Sequence, residues 1–366
     1  MKQGVWMWLA AALAIVMGTG ARAGEETATL APVVVTALRM ETALAGVPGT
    51  VHVVGREALQ DVAPRTTPDA FRGLPSVMVQ KTGYGQGSPY LRGFTGFRTL
   101  MMVDGIRLNN STFRDGPNQY WNTVDPWSVA RYEAVMGPAS VLYGSDAVGG
   151  AVNALSFAPP DWSGQAVWER TLAARVATAD ESLQARAGVR GRATEQLGFA
   201  AGVTWKKFND VRGGGDVGRQ RHTGYDEWDF DLRADYQFAS GVTLTLAHQQ
   251  VAQDDAWRSH STVYGIDWKG LRAGNDQKRS YDQERALTYL RLADEERAGA
   301  VGAYRLTLSR QAQDERLHRL RADGRRDESG VDVTTWGAAL ELESPSVLDP
   351  WVYGVDVAHD EVDSFG

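Results

Sequence analysis

The second half of the chain alternates. In WDFDLRADYQF, the residues Trp228, Phe230, Leu232, Ala234, Tyr236 and Phe238 fall on one side of an extended chain. Asp229, Asp231, Arg233, Asp235 and Gln237 fall on the other. A period of two with one wholly apolar face predicts a strand between an apolar medium and polar groups. The pattern returns in Leu183, Ala185, Ala187 and Val189, then in Leu197, Phe199, Ala201, Val203 and Trp205. It recurs in Tyr304, Leu306 and Leu308, and in Trp351, Tyr353, Val355 and Val357, with a less regular segment near 166–178. Centred near residues 187, 201, 232, 245, 289, 307, 338 and 356, these segments are separated by alternately short and long intervals. A soluble sandwich also alternates, but it has no reason to put every long connection at one end. Transmembrane barrels do, joining strands of roughly ten residues by short periplasmic turns and longer outer loops. The expectation is an antiparallel transmembrane β-barrel with 210–225, 254–283 and 313–330 as outer loops. On that reading Asp226, Glu227, Asp229 and Asp231 lie on the lumen side of the wall and are solvated.

The first half reads differently. From Gly46 to Ala158 alternation gives way to short mixed elements. VHVVG is strand-like, and TTPDAFRGL offers a threonine cap and a short helix. RTLMMVDGIRL predicts two strands about an Asp104–Gly105 turn. MGPASVLYGSDAVGGAVNAL, from Met136 to Leu155, predicts turn, short helix and strand. Its glycines invite a phosphate-cradle reading, but no lysine follows Gly149 and Gly150, so a Walker loop is excluded. GGGDVG, Gly213 to Gly218, formally matches a dinucleotide fingerprint, yet it sits between two alternating segments with no helix after it. These elements predict a compact α/β unit in front of the barrel.

Composition narrows the function. Met1 and Lys2 precede an apolar run from Val5 to Met17, closed by Ala21-Arg22-Ala23. That is the form of a secretory leader cut after Ala23, and the run is short of the roughly 20 residues that span a bilayer. An exported protein without another apolar span enters a membrane only as strands. The net charge of −7 and the lack of basic runs set nucleic-acid binding aside. The chain has no cysteine, which excludes disulfides, thiolate metal sites and a cysteine nucleophile. Six histidines are scattered without metal spacing, and no catalytic triad order sits in a plausible context. Neither an enzyme nor a bound metal cofactor is expected.

Three blocks carry a resemblance: LPSVMV, then YLRGFTGFRTLMMVDGIRLNN, then VARYEAVMGPASVLYGSDAVGGAVNAL. Together they resemble the plug domain of TonB-dependent outer-membrane receptors, with Arg92, Gly93, Asp104, Gly105, Glu133, Gly137, Pro138, Tyr143, Gly144, Gly149 and Gly150 in the family's motif positions. Ala130 stands where the family usually has an acidic residue, and Met136 often replaces a basic one.

The resemblance implies an α/β plug over 48–160 followed, over 161–366, by the first eight or nine strands of a barrel of roughly 22. A barrel of eight strands is filled by its own side chains and admits no plug, so the chain is expected to be the N-terminal part of a longer receptor in the Gram-negative outer membrane, in contact with its lipid, or a truncated gene product that cannot insert alone. Segment 24–47 contains APVVVTALRM. Pro32, Val33, Val34, Val35, Thr36 and Ala37 resemble a TonB box, an extended run that pairs with the edge of a partner's sheet. The implied partners are TonB with its inner-membrane energising complex and a scarce iron chelate, siderophore or haem, carried as cargo. Tyr120 and Trp121, in a segment somewhat similar to haem-type plugs, are candidates to stack on an aromatic chelate. His222 and His260 are candidates to reach a haem iron from outer loops. A passive porin and an exported adhesin are the competing readings.

Overall fold

The structure, a computed structural model, describes residues 33–34, 39, 42–44, 47, 49–162, 167–267, 269–295, 299–346 and 350–366. The expected leader, together with Pro32, Val35, Thr36 and Ala37, lies outside the described residues.

Two sheets organise the rest. Ahead of the plug, β1 (Val33–Val34) pairs antiparallel with β2 (Thr42–Ala43). The plug sheet comprises β3 (Thr50–Val54), β6 (Thr99–Val103), β7 (Ile106–Arg107), β8 (Val129–Met136) and β9 (Gly150–Ser156), in the order β3-β8-β9-β6-β7. Only β6 and β9 run parallel. A separate hairpin, β4 (Val77–Gly83) with β5 (Gln86–Leu91), stands beside it. Helix α1 (Arg56–Val62) buries Leu59, and the single turn α2 (Ser140–Tyr143) bridges β8 and β9. The Asp104–Gly105 turn has φ of 51° and 81°, the doubly left-handed form that matches strand twist in tight hairpins. Arg92 and Gly93, at 50° and 87°, close a second such turn between Leu91 and Phe94. In the plug core the Phe71 ring meets Trp121 and Tyr132 edge-on, at 5.9 Å and 5.2 Å.

The glycines of the Met136–Leu155 stretch serve close packing. At Gly150 φ is +154°, and a Cβ there would stand 2.4 Å from the Val135 carbonyl oxygen. No side chain fits, so the pair Gly149–Gly150 lets β9 enter beside β8.

The wall is one antiparallel sheet of nine strands, each paired with its neighbour in sequence: β10 (Trp168–Ala177), β11 (Ser182–Arg192), β12 (Leu197–Phe208), β15 (Tyr225–Gln237), β16 (Thr243–Trp257), β17 (Lys278–Asp294), β18 (Ala303–Leu320), β19 (Arg326–Ser344) and β20 (Trp351–Phe365). Two tiny strands, β13 (Arg212–Gly213) and β14 (Gly218–Arg219), form a hairpin inside the 209–224 loop, with GGGDVG at its tip. The apolar alternate positions, among them Trp228, Phe230, Leu232 and Leu290, face outward and stay exposed.

One connection differs from expectation. Residues 313–330 are mostly strand, because β18 runs to Leu320 and β19 begins at Arg326. Only 321–325 turns. The upper arms of this hairpin alternate among charges, held by Arg316–Asp332 and Arg321–Asp327 pairs, so hydrophobic periodicity had nothing to register there.

Candidate functional site

The inner face of the wall is polar, and the plug is seated on it. Wall side chains reach plug carbonyl groups that no strand satisfies. Gln253 Nε2 donates to the Asn122 carbonyl at 3.2 Å, and Arg285 Nε to that of Thr123 at 2.7 Å. Gln313 Nε2 donates to the Leu108 carbonyl at 3.1 Å, and the Tyr289 hydroxyl to Asp104 Oδ2 at 3.2 Å.

The strongest grip is ionic. Asp125, just after the 3-10 turn Tyr120–Thr123, meets Lys206 Nζ of β12 at 2.8 Å and accepts from Thr204 Oγ1 at 2.7 Å. The same ammonium contacts Glu227 and lies 3.1 Å from Asp229, both on β15. Arg186 of β11 pairs with Asp231 through two bonds of 2.7 Å and 3.0 Å and lies 3.7 Å from Asp125. Gly202 makes room for it: a Cβ there would stand 2.2 Å from Arg186 Nη2. Burial alone would push the Asp125 carboxyl up, but the charges of Lys206 and Arg186 outweigh it and hold Asp125 below the ordinary aspartate range.

This corrects the expectation of solvated carboxylates. Glu227, Asp229 and Asp231 are buried beneath the plug, and only Asp226, on the opposite face, is exposed. Asp125, Glu227 and Asp229 converge closely enough to surround a cation, and the Lys206 ammonium already stands among them. Sequence reasoning missed Lys206, Arg186, Arg285 and Asp125. For the wall residues, a charge at an inward-facing alternate position of a strand was the available signal.

At the short-turn end the segment after β1 is tied down. Arg39 pairs with Glu341 of β19 at 2.9 Å and Asp356 of β20 at 2.7 Å, and its guanidinium lies 4.5 Å above the Tyr143 ring. Here the motif residue Tyr143 finds its role, linking the plug turn to the leading segment. Beside these residues a cavity of about 790 Å³ opens between plug and wall, lined also by Arg107, Arg291 and Arg305. Motif residue Glu133 is fully buried, with Arg131 Nε at 2.8 Å.

The ligand candidates fall in three places. Trp121 is 1% exposed and sits in the plug core, so its ring offers no face to a chelate. Tyr120 is buried and stacked on Phe113 at 4.7 Å; burial and Glu315 push its hydroxyl up to about 12. The hydrophobic register of the plug core claims both rings. His222 is wedged between Trp257 and Tyr264, with ring centroids at 4.2 Å and 4.3 Å. His260 lies exposed in the turn Ser259–Ser261. Neither histidine joins a grouping of metal-ligating atoms among the described residues.

Comparison with known proteins accords with this architecture. Residues 43–151 match the TonB-dependent Receptor Plug Domain family. The chain is 32% identical over 139 residues to a vitamin B12 transporter BtuB of Photobacterium profundum, covering 38% of this chain and 22% of that protein. It is 32% identical over 179 residues to an iron-regulated outer membrane virulence protein of Vibrio cholerae, covering 47% and 27%. In structure it is similar to the hemophore receptor HasR of Serratia marcescens, solved with its hemophore HasA and heme. That match has a TM-score of 0.71 at 13% identity, over 87% of this chain and 46% of that one. The chain thus spans about a quarter of the length of these curated relatives and under half of that solved structure. Residues 43–151 thus match a TonB-dependent receptor plug, and the chain as a whole shares the fold of the corresponding part of that solved receptor.

Proposed function

We propose that the protein takes up a scarce iron chelate, siderophore or haem, across the outer membrane, driven by contact with TonB. The observation that carries the reading is the leading segment. β1 sits in a two-stranded sheet whose other edge has no partner among the described residues, and Arg39 ties the stretch behind it to both plug and wall. A partner strand added to that edge gains main-chain hydrogen bonds, and a pull on it reaches Arg39 first and then β3, an edge strand of the plug sheet. The outer membrane has no nucleotide pool, so work has to arrive by such a contact. Pro32 to Ala37 are the residues assigned to it. His222 and His260, on the long loops, are the residues nearest to an iron-binding chemistry.

A corrinoid cargo is the second reading, supported by the relatives named vitamin B12 transporter. Deleting Pro32 to Thr36, or replacing Val34→Pro to remove a backbone donor, is expected to leave ligand binding intact and abolish uptake. Uptake is followed with radiolabelled ferric siderophore, haem and cyanocobalamin in parallel. Uptake at the parental rate in the deletion strain sinks the energy-coupling assignment. Accumulation of cyanocobalamin alone replaces the iron reading with the corrinoid one.

A further inference from the structure

The cluster around Lys206 holds a group that the docked plug does not use. Asp125 accepts hydrogen bonds at both oxygens, from the Trp127 amide at 2.9 Å and Thr204 at 2.7 Å, besides the Lys206 ammonium. Glu227 is bound by Lys206 at one oxygen and by Gln253 Nε2, at 2.7 Å, at the other. Asp229 differs. It is 1% exposed, it lies within ion-pair distance of Lys206, and neither of its oxygens accepts a hydrogen bond from the described residues. Two further buried groups are left over beside it. Arg285, within electrostatic reach of Asp229, has Nη1 unpartnered, and Gln253 has Oε1 unpartnered.

A carboxylate stranded in a buried site is destabilising, and a second and third carboxylate on one ammonium repel each other. The charges explain its presence. Within the wall alone, Arg186 balances Asp231, and Lys206 with Arg285 balances Glu227 with Asp229. Asp125 is the charge that the plug adds, and Arg56 on α1 is the other plug charge within reach of it, without contact. So the wall cluster is balanced by itself, and docking brings Asp125 as a third carboxylate onto the one Lys206 ammonium, with Arg56 near but not in contact.

We infer that Asp229 is a waiting partner for Lys206, placed so that the ammonium passes from Asp125 to Asp229 when the plug segment Asn122–Asp125 leaves the wall. The exchange replaces one ion pair by another. Release therefore leaves Lys206 between Glu227 and Asp229, and the docked state is weakened in advance by repulsion between Asp125 and Asp229. Arg285, freed from the Thr123 carbonyl in the same movement, gains Asp229 as a neighbour. The inference rests on the reading that the plug moves during transport, but its test needs no transport.

The chain has no cysteine, so Ser128→Cys, at a buried plug position next to the segment, gives a clean reporter. Thiol labelling is timed on the intact protein in detergent, at urea concentrations below those that unfold the wall. With Asp229→Asn the repulsion and the waiting partner both vanish. Labelling is then expected to slow by roughly tenfold, within the range of coupling between neighbouring charges. In an Asp125→Asn background the same substitution is expected to change nothing, because the competitor is gone. Labelling that is unchanged or faster in Asp229→Asn overturns the inference, and so does an equal slowing in the Asp125→Asn background. Asp229→Ser, a second neutral variant, has to slow labelling likewise if Asp229→Asn does not fold. If neither folds, Asp229 is a folding requirement and the inference falls. Loss of the TonB reading would show instead in the uptake assay, with labelling unaffected.

Discussion

The two faces of β15 share one backbone and obey different rules. Outward, Trp228, Phe230 and Leu232 are exposed, so each should be interchangeable with another apolar residue of similar bulk. Inward, Glu227, Asp229 and Asp231 meet Lys206, Gln253, Arg186 and, across the gap, the plug. On the outer face the requirement is a transfer free energy, which depends on residue class. On the inner face it is a set of pairings, which depends on individual atoms. A substitution that keeps hydrophobicity but changes identity should therefore be silent outside and ruinous inside.

The largest expected effect is at Lys206. Lys206→Met keeps length and loses the ammonium, leaving Asp125, Glu227 and Asp229 buried together. A loss of about 3–5 kcal/mol is expected, as for breaking a buried ion pair by removing one partner. Urea unfolding of the detergent-folded protein measures it, and a midpoint equal to the parent's would dissolve the distinction between the faces.

Next comes the reverse insult, a charge on the outer face. Leu290→Arg should cost about 2–4 kcal/mol if Leu290 lies near the bilayer midplane and less toward either interface. A variant as stable as the parent would mean that this face does not meet lipid.

A smaller effect belongs to the plug alone. Burial would raise the Asp69 carboxyl, but Lys81 together with the Thr66 hydrogen bonds and Arg72 holds it below the ordinary aspartate range. A depressed carboxyl contributes stability above its unfolded value, and that contribution is lost as pH falls through the folded one. Acid titration of plug stability below about pH 4 should therefore show a loss that Asp69→Asn removes. A titration unchanged by the substitution would separate Asp69 from acid sensitivity.

The smallest effect sharpens the comparison by its absence. Leu308→Ile, on the outer face of β18, should stay within about 0.5 kcal/mol of the parent. Topology offers a parallel check without energetics. A protease tag at Gly214 or Gly270, on long loops, should be cut in intact cells, and one at Ala239–Ser240 should not. Cleavage of all three would argue against a closed wall.

How much was legible follows from the same contrast. The strands of the wall were legible because alternation at period two reports burial in an apolar medium, and eight segment centres fell inside observed strands. The upper halves of β18 and β19 were not, since charges alternating with charges carry no hydrophobic period. The plug turn at Asp104–Gly105 was legible because aspartate and glycine mark left-handed backbone locally, whereas the turn at Arg92–Gly93, which opens on an arginine at φ 50°, was not. Trp121 shows the opposite case: its ring could equally face a ligand or a core, and only packing against Phe71 decides.

By itself the sequence determined what is local or periodic: strand positions, the facing of each strand's residues, and the plug's Asp104–Gly105 turn. These need only near neighbours along the chain and the class of medium on each side. The tertiary structure alone decided which inward charges meet. Asp125 and Lys206 are 81 residues apart in sequence and 2.8 Å apart in space. Arg39 likewise finds Glu341 and Asp356 from the far end of the chain. No periodicity encodes such pairings, because a charge on a strand faces inward or outward by parity, but its partner is chosen by how the plug is seated against the wall.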